Sequence, residues 1–154
     1  MKIAELLDPK AIVASLSATS KREVLEELSQ AVVAGDRSLN YNTVLSTLLE
    51  REKLGSTGVG DGIAIPHGKI ANLPNIVIAF GKSEQGVDFD AIDGRQVQIF
   101  FLLLAPEDTP GTHLKALARI SRLLKDGAFR ARLMKARTES ELYEVIRHED
   151  EVVG

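Results

Sequence analysis

Val97 to Leu104, VQIFFLLL, is an almost unbroken apolar run that ends at Pro106. A strand with one wet face alternates apolar and polar residues, so a run without alternation has to be covered on both sides. The cover is available, because residues at helical spacing occur at both ends of the chain. The simplest layered solution is a sheet sandwiched by helices, an α/β or α+β domain. The chain has 154 residues and shows no repeat, low-complexity tract or linker. Residues 1–154 therefore read as a single domain, large enough to need no disulfide or metal staple.

The helices can be placed from their caps and stripes. Ser20 with Glu23 has capping-box spacing, and Val24, Leu25, Leu28, Ala31 and Val32 follow at helical intervals. This predicts a helix over about 21–34, with Gly35 as its C-cap. Asn40 or Asn42 caps a second helix carrying Val44, Leu45, Leu48 and Leu49, which ends near Lys53. Helices over 113–124 and 129–136 follow the apolar run, and Thr138 with Glu141 caps a last one. Short strands are expected at 11–16 (an edge strand), 63–65 and 75–81, and Asp93-Gly94 marks a turn.

Several function classes fall away on composition. The chain has no cysteine, which excludes a thiol nucleophile, a disulfide framework and any cysteine-containing zinc site. Nineteen basic against 22 acidic residues argue against generic nucleic-acid binding. The charge is uneven: residues 113–137 hold eight Lys/Arg and one acid, Asp126, whereas 139–151 is acidic. The basic segment reads as a solvated helix face. Asp8 comes too early for a signal-peptide core. The longest apolar run, Ile99 to Ala105, is far short of the ~20 residues a bilayer span needs. No membrane insertion and a cytoplasmic location are expected.

The segment from Arg51 to Lys69, REKLGSTGVGDGIAIPHGK, concentrates four glycines (Gly55, Gly58, Gly60 and Gly62) just before a short strand and a histidine. Such a cluster signals left-handed backbone or a close approach by another group. It is not a phosphate-binding P-loop, because the spacing from Gly62 to Gly68-Lys69 is one residue too long and Ile70 stands where a hydroxyl is required. Nor is it a dinucleotide fingerprint, since Gly58, Gly60 and Gly62 alternate and precede a strand. A serine-nucleophile elbow is missing. So is any histidine–glutamate spacing that would hold zinc.

Of the three histidines, His148 lies in the acidic tail and reads as a solvated terminal residue. His113 follows Pro110-Gly111-Thr112 and, taken alone, reads as an ordinary first-turn residue of a helix. His67 is different. Pro66 pushes Ile65 into extended geometry and Gly68 removes bulk on the other side, so the imidazole is presented at a strand end.

The run Arg51-Glu52-Lys53-Leu54-Gly55-Ser56-Thr57-Gly58-Val59-Gly60-Asp61-Gly62, followed by Ile63-Ala64-Ile65-Pro66-His67-Gly68, resembles the active-site signature of the phosphotransferase-system enzyme IIA family. The fructose/mannitol class is the one it resembles, and the stand-alone, nitrogen-regulatory branch most closely. Phe89-Asp90-Ala91-Ile92-Asp93, the apolar strand ending in Pro106 and Thr112-His113-Leu114 continue the likeness in order, over essentially the whole chain. The resemblance implies that His67 accepts a phosphoryl group from the phosphohistidine of an HPr-type carrier, with His113 beside it and Arg51 close by. It implies a five-stranded mixed sheet and no cofactor. The partners would be regulatory proteins or a IIB component. A neutral imidazole is a competent nucleophile at neutral pH. Positioning and charge stabilisation carry most of the catalysis of phosphoryl transfer. The hydroxyls of Ser56 and Thr57 and the backbone amides around Gly58, Gly60 and Gly68 are candidate contributors. Asp61 stands where many members of that branch carry Asn, and a carboxylate there is expected to point away from the site. Two other readings stay open: a sugar-specific IIA that passes phosphate to a separate IIB component, and a non-catalytic binding module of the same fold.

Overall fold

A computed structural model describes residues 1–154. In chain order the elements are α1 (Ile3–Leu6), β1 (Leu7–Val13), α2 (Lys21–Gly35), α3 (Tyr41–Lys53), β2 (Gly58–Gly60), β3 (Ile63–Ala64), β4 (His67–Ile70), β5 (Val77–Val87), β6 (Val97–Pro106), α4 (Pro110–Leu124), α5 (Gly127–Lys135) and α6 (Glu139–Val153). The sheet has six strands in the order β1-β5-β6-β3-β2, and β4 continues the β3 side of β6. It is mixed: β1 runs parallel to β5, β5 antiparallel to β6, and both β3 and β4 parallel to β6.

The double cover expected for β6 is what the strand receives. Ile99, Phe101, Leu103 and Ala105 belong to one core cluster, which they share with α1, α4, α5 and α6. Val97, Phe100, Leu102 and Leu104 belong to a second cluster, against α2 and α3. Successive residues of a strand point to opposite faces, so each apolar residue has its own helix layer to fill. No residue from Phe100 to Ala105 is accessible to solvent.

The caps hold with one correction. Ser20 accepts from the Glu23 amide, Asn40 (not Asn42) from Thr43, and Thr138 from Glu141. Gly35, expected as the C-cap, is instead the last residue of α2, followed by extended Asp36. A Cβ on Gly35 would lie 3.3 Å from that of Asp8, so glycine serves the close approach of α2 to β1.

Strand limits moved more. The edge strand begins at Leu7, earlier than expected, with the short α1 ahead of it. β5 runs on to Val87 as an irregular extension paired to β6. The glycine segment itself supplies two strands that periodicity did not reveal, β2 and β4. Both are three or four residues long, too short for a period to register.

The acidic tail is not simply solvated. Glu149 and Asp150 are buried on α6, where they pair with Arg132 at 2.6 Å and Arg119 at 2.7 Å. Asp150 also accepts from the Ala4 amide. Part of the basic segment therefore has an internal purpose: it fastens α6 and the N-terminus to α4 and α5. No helix is long and apolar enough to cross a membrane.

Candidate active site

His67 opens β4 because Pro66 interrupts the backbone ladder. Proline has no N–H to donate, but its carbonyl accepts from Leu103 at 2.9 Å and leads β4 into parallel register, His67 against Leu103. Alternation then sends Gly68 and Ile70 toward α3, and His67 and Lys69 to the opposite face. Gly68 packs so closely on α3 that a Cβ there would stand 2.5 Å from Cγ2 of Thr47.

Three elements converge on His67. The end of α3 supplies Thr47, Glu50 and Arg51, with Leu54 just beyond, spaced to share one helical face. The strand supplies His67, Gly68 and Lys69. The first turns of α4 supply Pro110, His113, Leu114 and Leu117. Together they line an open cavity of about 560 Å³. Leu54 and Leu114 are largely exposed at its rim, at 84% and 66%.

The two imidazoles, far apart in sequence, meet edge to face with centroids 5.4 Å apart and planes at 88°. Nδ1 of His67 lies 2.7 Å from the carbonyl oxygen of Ile65. A carbonyl only accepts, so Nδ1 carries the proton and Nε2 keeps the free lone pair. Burial lowers the pKa of His67 below the usual 6.5; the Ile65 carbonyl opposes that shift and the Arg51 charge reinforces it. His113 is lowered too, first by burial and then by the charges of His67 and Lys69. Both shifts favour the uncharged imidazole, and His67 keeps a bare Nε2 as a nucleophile. None of the nine ion pairs of the molecule includes Arg51 or Lys69. The cavity thus holds two cations outside any ion pair, with Arg51 donating to the Gly55 carbonyl at 2.8 Å, beside two imidazoles and the Glu50 carboxylate, which Lys53 pairs at 2.9 Å; the balance suits a small dianion.

The structure brings His67, His113, Arg51 and Gly68 to this cavity. It does not bring Ser56, Thr57, Gly58 or Gly60, which the sequence reading placed among the contributors. Ser56 donates its hydroxyl to the Phe89 carbonyl at 2.7 Å and accepts from the Gly58 amide. The buried Thr57 donates its hydroxyl to Glu52 and its amide to the same carboxylate at 3.0 Å. Their polar groups are committed to bracing the start of the β2–β3 hairpin, Thr57 against α3 and Ser56 against the loop after β5. The glycines answer to backbone needs: Gly60 has φ +102°, and a Cβ on Gly58 would stand 2.9 Å from the backbone of Ala91. Asp61, at φ 57°, sits exposed in the hairpin turn and does not line the cavity; its amide donates to Asp93.

Lys69, Thr47 and Glu50 were missed in the sequence. The signals were there: Lys69 is two residues beyond His67 on a strand, and 47, 50 and 51 share a helical face.

The family described as "Phosphoenolpyruvate-dependent sugar phosphotransferase system, EIIA 2" matches residues 5–149. The chain is 44% identical over 146 residues to a nitrogen regulatory protein of Bradyrhizobium diazoefficiens, covering 95% of each. It is 36% identical over 150 residues to the fructose-specific EIIABC component of Bacillus subtilis, covering 97% of this chain and 24% of that one. Among solved structures, nitrogen regulatory protein IIA-Ntr from Neisseria meningitidis superposes with a TM-score of 0.86 at 35% identity, over 94% of this chain and 98% of that one.

Proposed function

Because this chain belongs to the EIIA-2 family of the phosphoenolpyruvate-dependent sugar phosphotransferase system, within its nitrogen regulatory proteins, we propose that it is a phosphoryl carrier that takes a phosphoryl group reversibly onto Nε2 of His67. The donor is a phosphohistidine of an HPr-type carrier, and the output is regulation through phosphorylation-dependent protein contact.

The observation that carries this reading is the presentation of His67. Its Nδ1–H is held by Ile65, its Nε2 is free, and Arg51, Lys69 and His113 surround the cavity it faces. In the transfer, the P–N bond to the donor imidazole breaks as the P–Nε2 bond forms, and the donor nitrogen recovers its electron pair. Positive charge grows on the His67 ring during attack, and the Ile65 carbonyl stabilises it through Nδ1–H. The phosphoryl oxygens carry the negative charge, which Arg51 and Lys69 are placed to meet. The cavity exceeds a phosphoryl group in size and has an apolar rim, as a site needs when a partner's surface delivers the group.

The test is incubation with phosphoenolpyruvate, enzyme I and an HPr-type carrier, followed by intact mass. Wild type is expected to gain one acid-labile phosphate and His67→Ala none. Equal labelling of the two would refute the assignment.

A second reading follows from the match to a fructose-specific EIIABC component: transfer from His67 to a separate IIB component. Rapid transfer to a co-encoded IIB protein, with partners that ignore the phosphorylation state, would favour it.

A further inference from the structure

Along β5, the row that faces α1, α4, α5 and α6 reads Ile78, Phe80, Lys82. The first two are core residues, and the third is an ammonium with 1% of its side chain exposed. A lysine where the strand pattern calls for an apolar residue is a departure of the kind that marks functional sites. Burying a cation is costly unless it is paired and hydrogen-bonded. Nζ of Lys82 donates to the carbonyls of Met134, at 3.2 Å, and Ala136, at the carboxyl end of α5, where the helix dipole also favours a cation. These partners are neutral. Its one carboxylate partner is Glu84, at 3.3 Å, on a side chain that is 62% exposed.

Lys82 stands at the wall of a second cavity, of about 500 Å³. Ser15 just after β1, Lys82 and Glu84 on β5, and Met134, Lys135 and Arg137 at the end of α5 bound it. It shares no residue with the cavity at His67. Lys135 and Arg137 are exposed and belong to no ion pair. Three cations thus stand with one carboxylate, a surplus of two positive charges.

We infer that this cavity is a binding site for a phosphate dianion, free or carried on a small ester, and separate from the phosphoryl site at His67. The surplus matches two negative charges. Arg137 supplies a planar fork suited to two phosphate oxygens, and the two ammonium groups supply point charges. The volume is in the range of small-ligand sites and leaves room for a few heavy atoms beside Met134. Glu84 is the competitor: its carboxylate takes the N–H of Lys82 that phosphate would use, and its exposed side chain is free to turn to solvent. The site does not rest on the function proposed above.

The experiment is a titration of the ¹⁵N-labelled full chain with inorganic phosphate and, separately, with glycerol phosphate, at constant ionic strength and pH 7.5, followed by amide shifts. Saturating shifts are expected at Ser15, Glu84, Ala136 and Arg137. They should persist in Arg51→Ala, in which any response around Gly68 and His113 should weaken. Lys135→Gln/Arg137→Gln removes two exposed cations and should weaken binding by about tenfold or more, whereas Glu84→Gln should tighten it severalfold. Lys82→Met, checked for folding by circular dichroism, should abolish it. Tighter binding of glycerol phosphate than of phosphate assigns the site to an ester, and equal binding to the free ion. Shifts confined to Gly68 and His113, or shifts at Ser15 and Arg137 that do not saturate, would overturn the inference. So would saturating shifts that neither the double variant nor Glu84→Gln alters.

Discussion

The β6 strand and the glycine segment from Gly58 to Ile70 lie side by side in one sheet and are held in place by opposite means. β6 is ten continuous residues, packed on both faces by its own side chains. The neighbouring segment is three strands of three, two and four residues separated by turns. Its position is set by bonds from outside: Glu52 to Thr57, Ser56 to Phe89, Asp93 to Asp61, and the parallel ladder onto β6. Stability is concentrated in the first region and the placement of the His67 ring in the second. Substitutions in one should separate from substitutions in the other in what they damage.

The largest effect on stability is expected in β6. Phe101 is fully buried against Phe80, with rings 5.0 Å apart. Phe101→Ala should cost about 3–5 kcal/mol in denaturant unfolding, while the protein that remains folded still labels at His67. A cost below about 1 kcal/mol would mean that the double cover of β6 does not organise the fold.

Gly68→Ala should show the reverse profile. The new methyl meets Thr47 at 2.5 Å, and overpacking of this kind costs about 1–3 kcal/mol. The displaced ring should lose more in transfer than in stability, of order 10²-fold for a shift near 1 Å. Thr47→Ser removes the obstructing methyl and should restore much of the rate. Wild-type transfer by Gly68→Ala would show that the seat of β4 on α3 does not set His67.

A change without a direct effect on the His67 seat is expected from Glu52→Ala, which strips the Thr57 amide and hydroxyl of their acceptor and Lys21 of the nearer of its two carboxylates. The loss should be about 1–3 kcal/mol. Amide exchange should quicken across 58–60 and stay slow in β6. Uniform quickening along both strands would erase the contrast between the two regions.

The smallest effect is on pH dependence. Burial lowers both active-site imidazoles below 6.5 in the folded state, so between the folded and unfolded values the unfolded chain binds more protons. Their contribution to stability is therefore full above about pH 6.5 and is lost as pH falls through it. The depressed carboxylates Asp93 and Asp126 act in the same direction only nearer pH 4 and below. Thermal melts from pH 7.5 to 5.5 should fall for wild type and flatten in His67→Gln/His113→Gln. A wild-type curve that rises on acidification would contradict the burial of neutral rings.

What could be read in the sequence follows the same division. The apolar run of β6 and the capped stripes of α2, α3 and α6 announce themselves, because long periodic elements average out local exceptions. β2 and β4 do not, being too short to show a period and stabilised by groups distant in sequence. The motif singles out His67 and Arg51, and the fold brings both to one cavity. Ser56 and Thr57 were misplaced because a hydroxyl beside glycines looks the same in sequence whether it faces a ligand or braces a loop; only the partners Phe89 and Glu52 decide. The burial of Glu149 and Asp150 was hidden because their acidic surroundings resemble a solvated tail. The arginines that pair with them lie 17 and 31 residues away.

The Ile65 carbonyl is proposed to hold His67 with Nε2 as its reactive atom. Phosphorylating ¹⁵N-histidine-labelled protein with phosphoenolpyruvate, enzyme I and an HPr-type carrier, and reading the phosphorus–nitrogen coupling by NMR, tests it directly. The expected result is a single phosphoryl group coupled to Nε2 of His67, with the proton retained on Nδ1. Coupling to Nδ1 of His67, or to a nitrogen of His113, would contradict it.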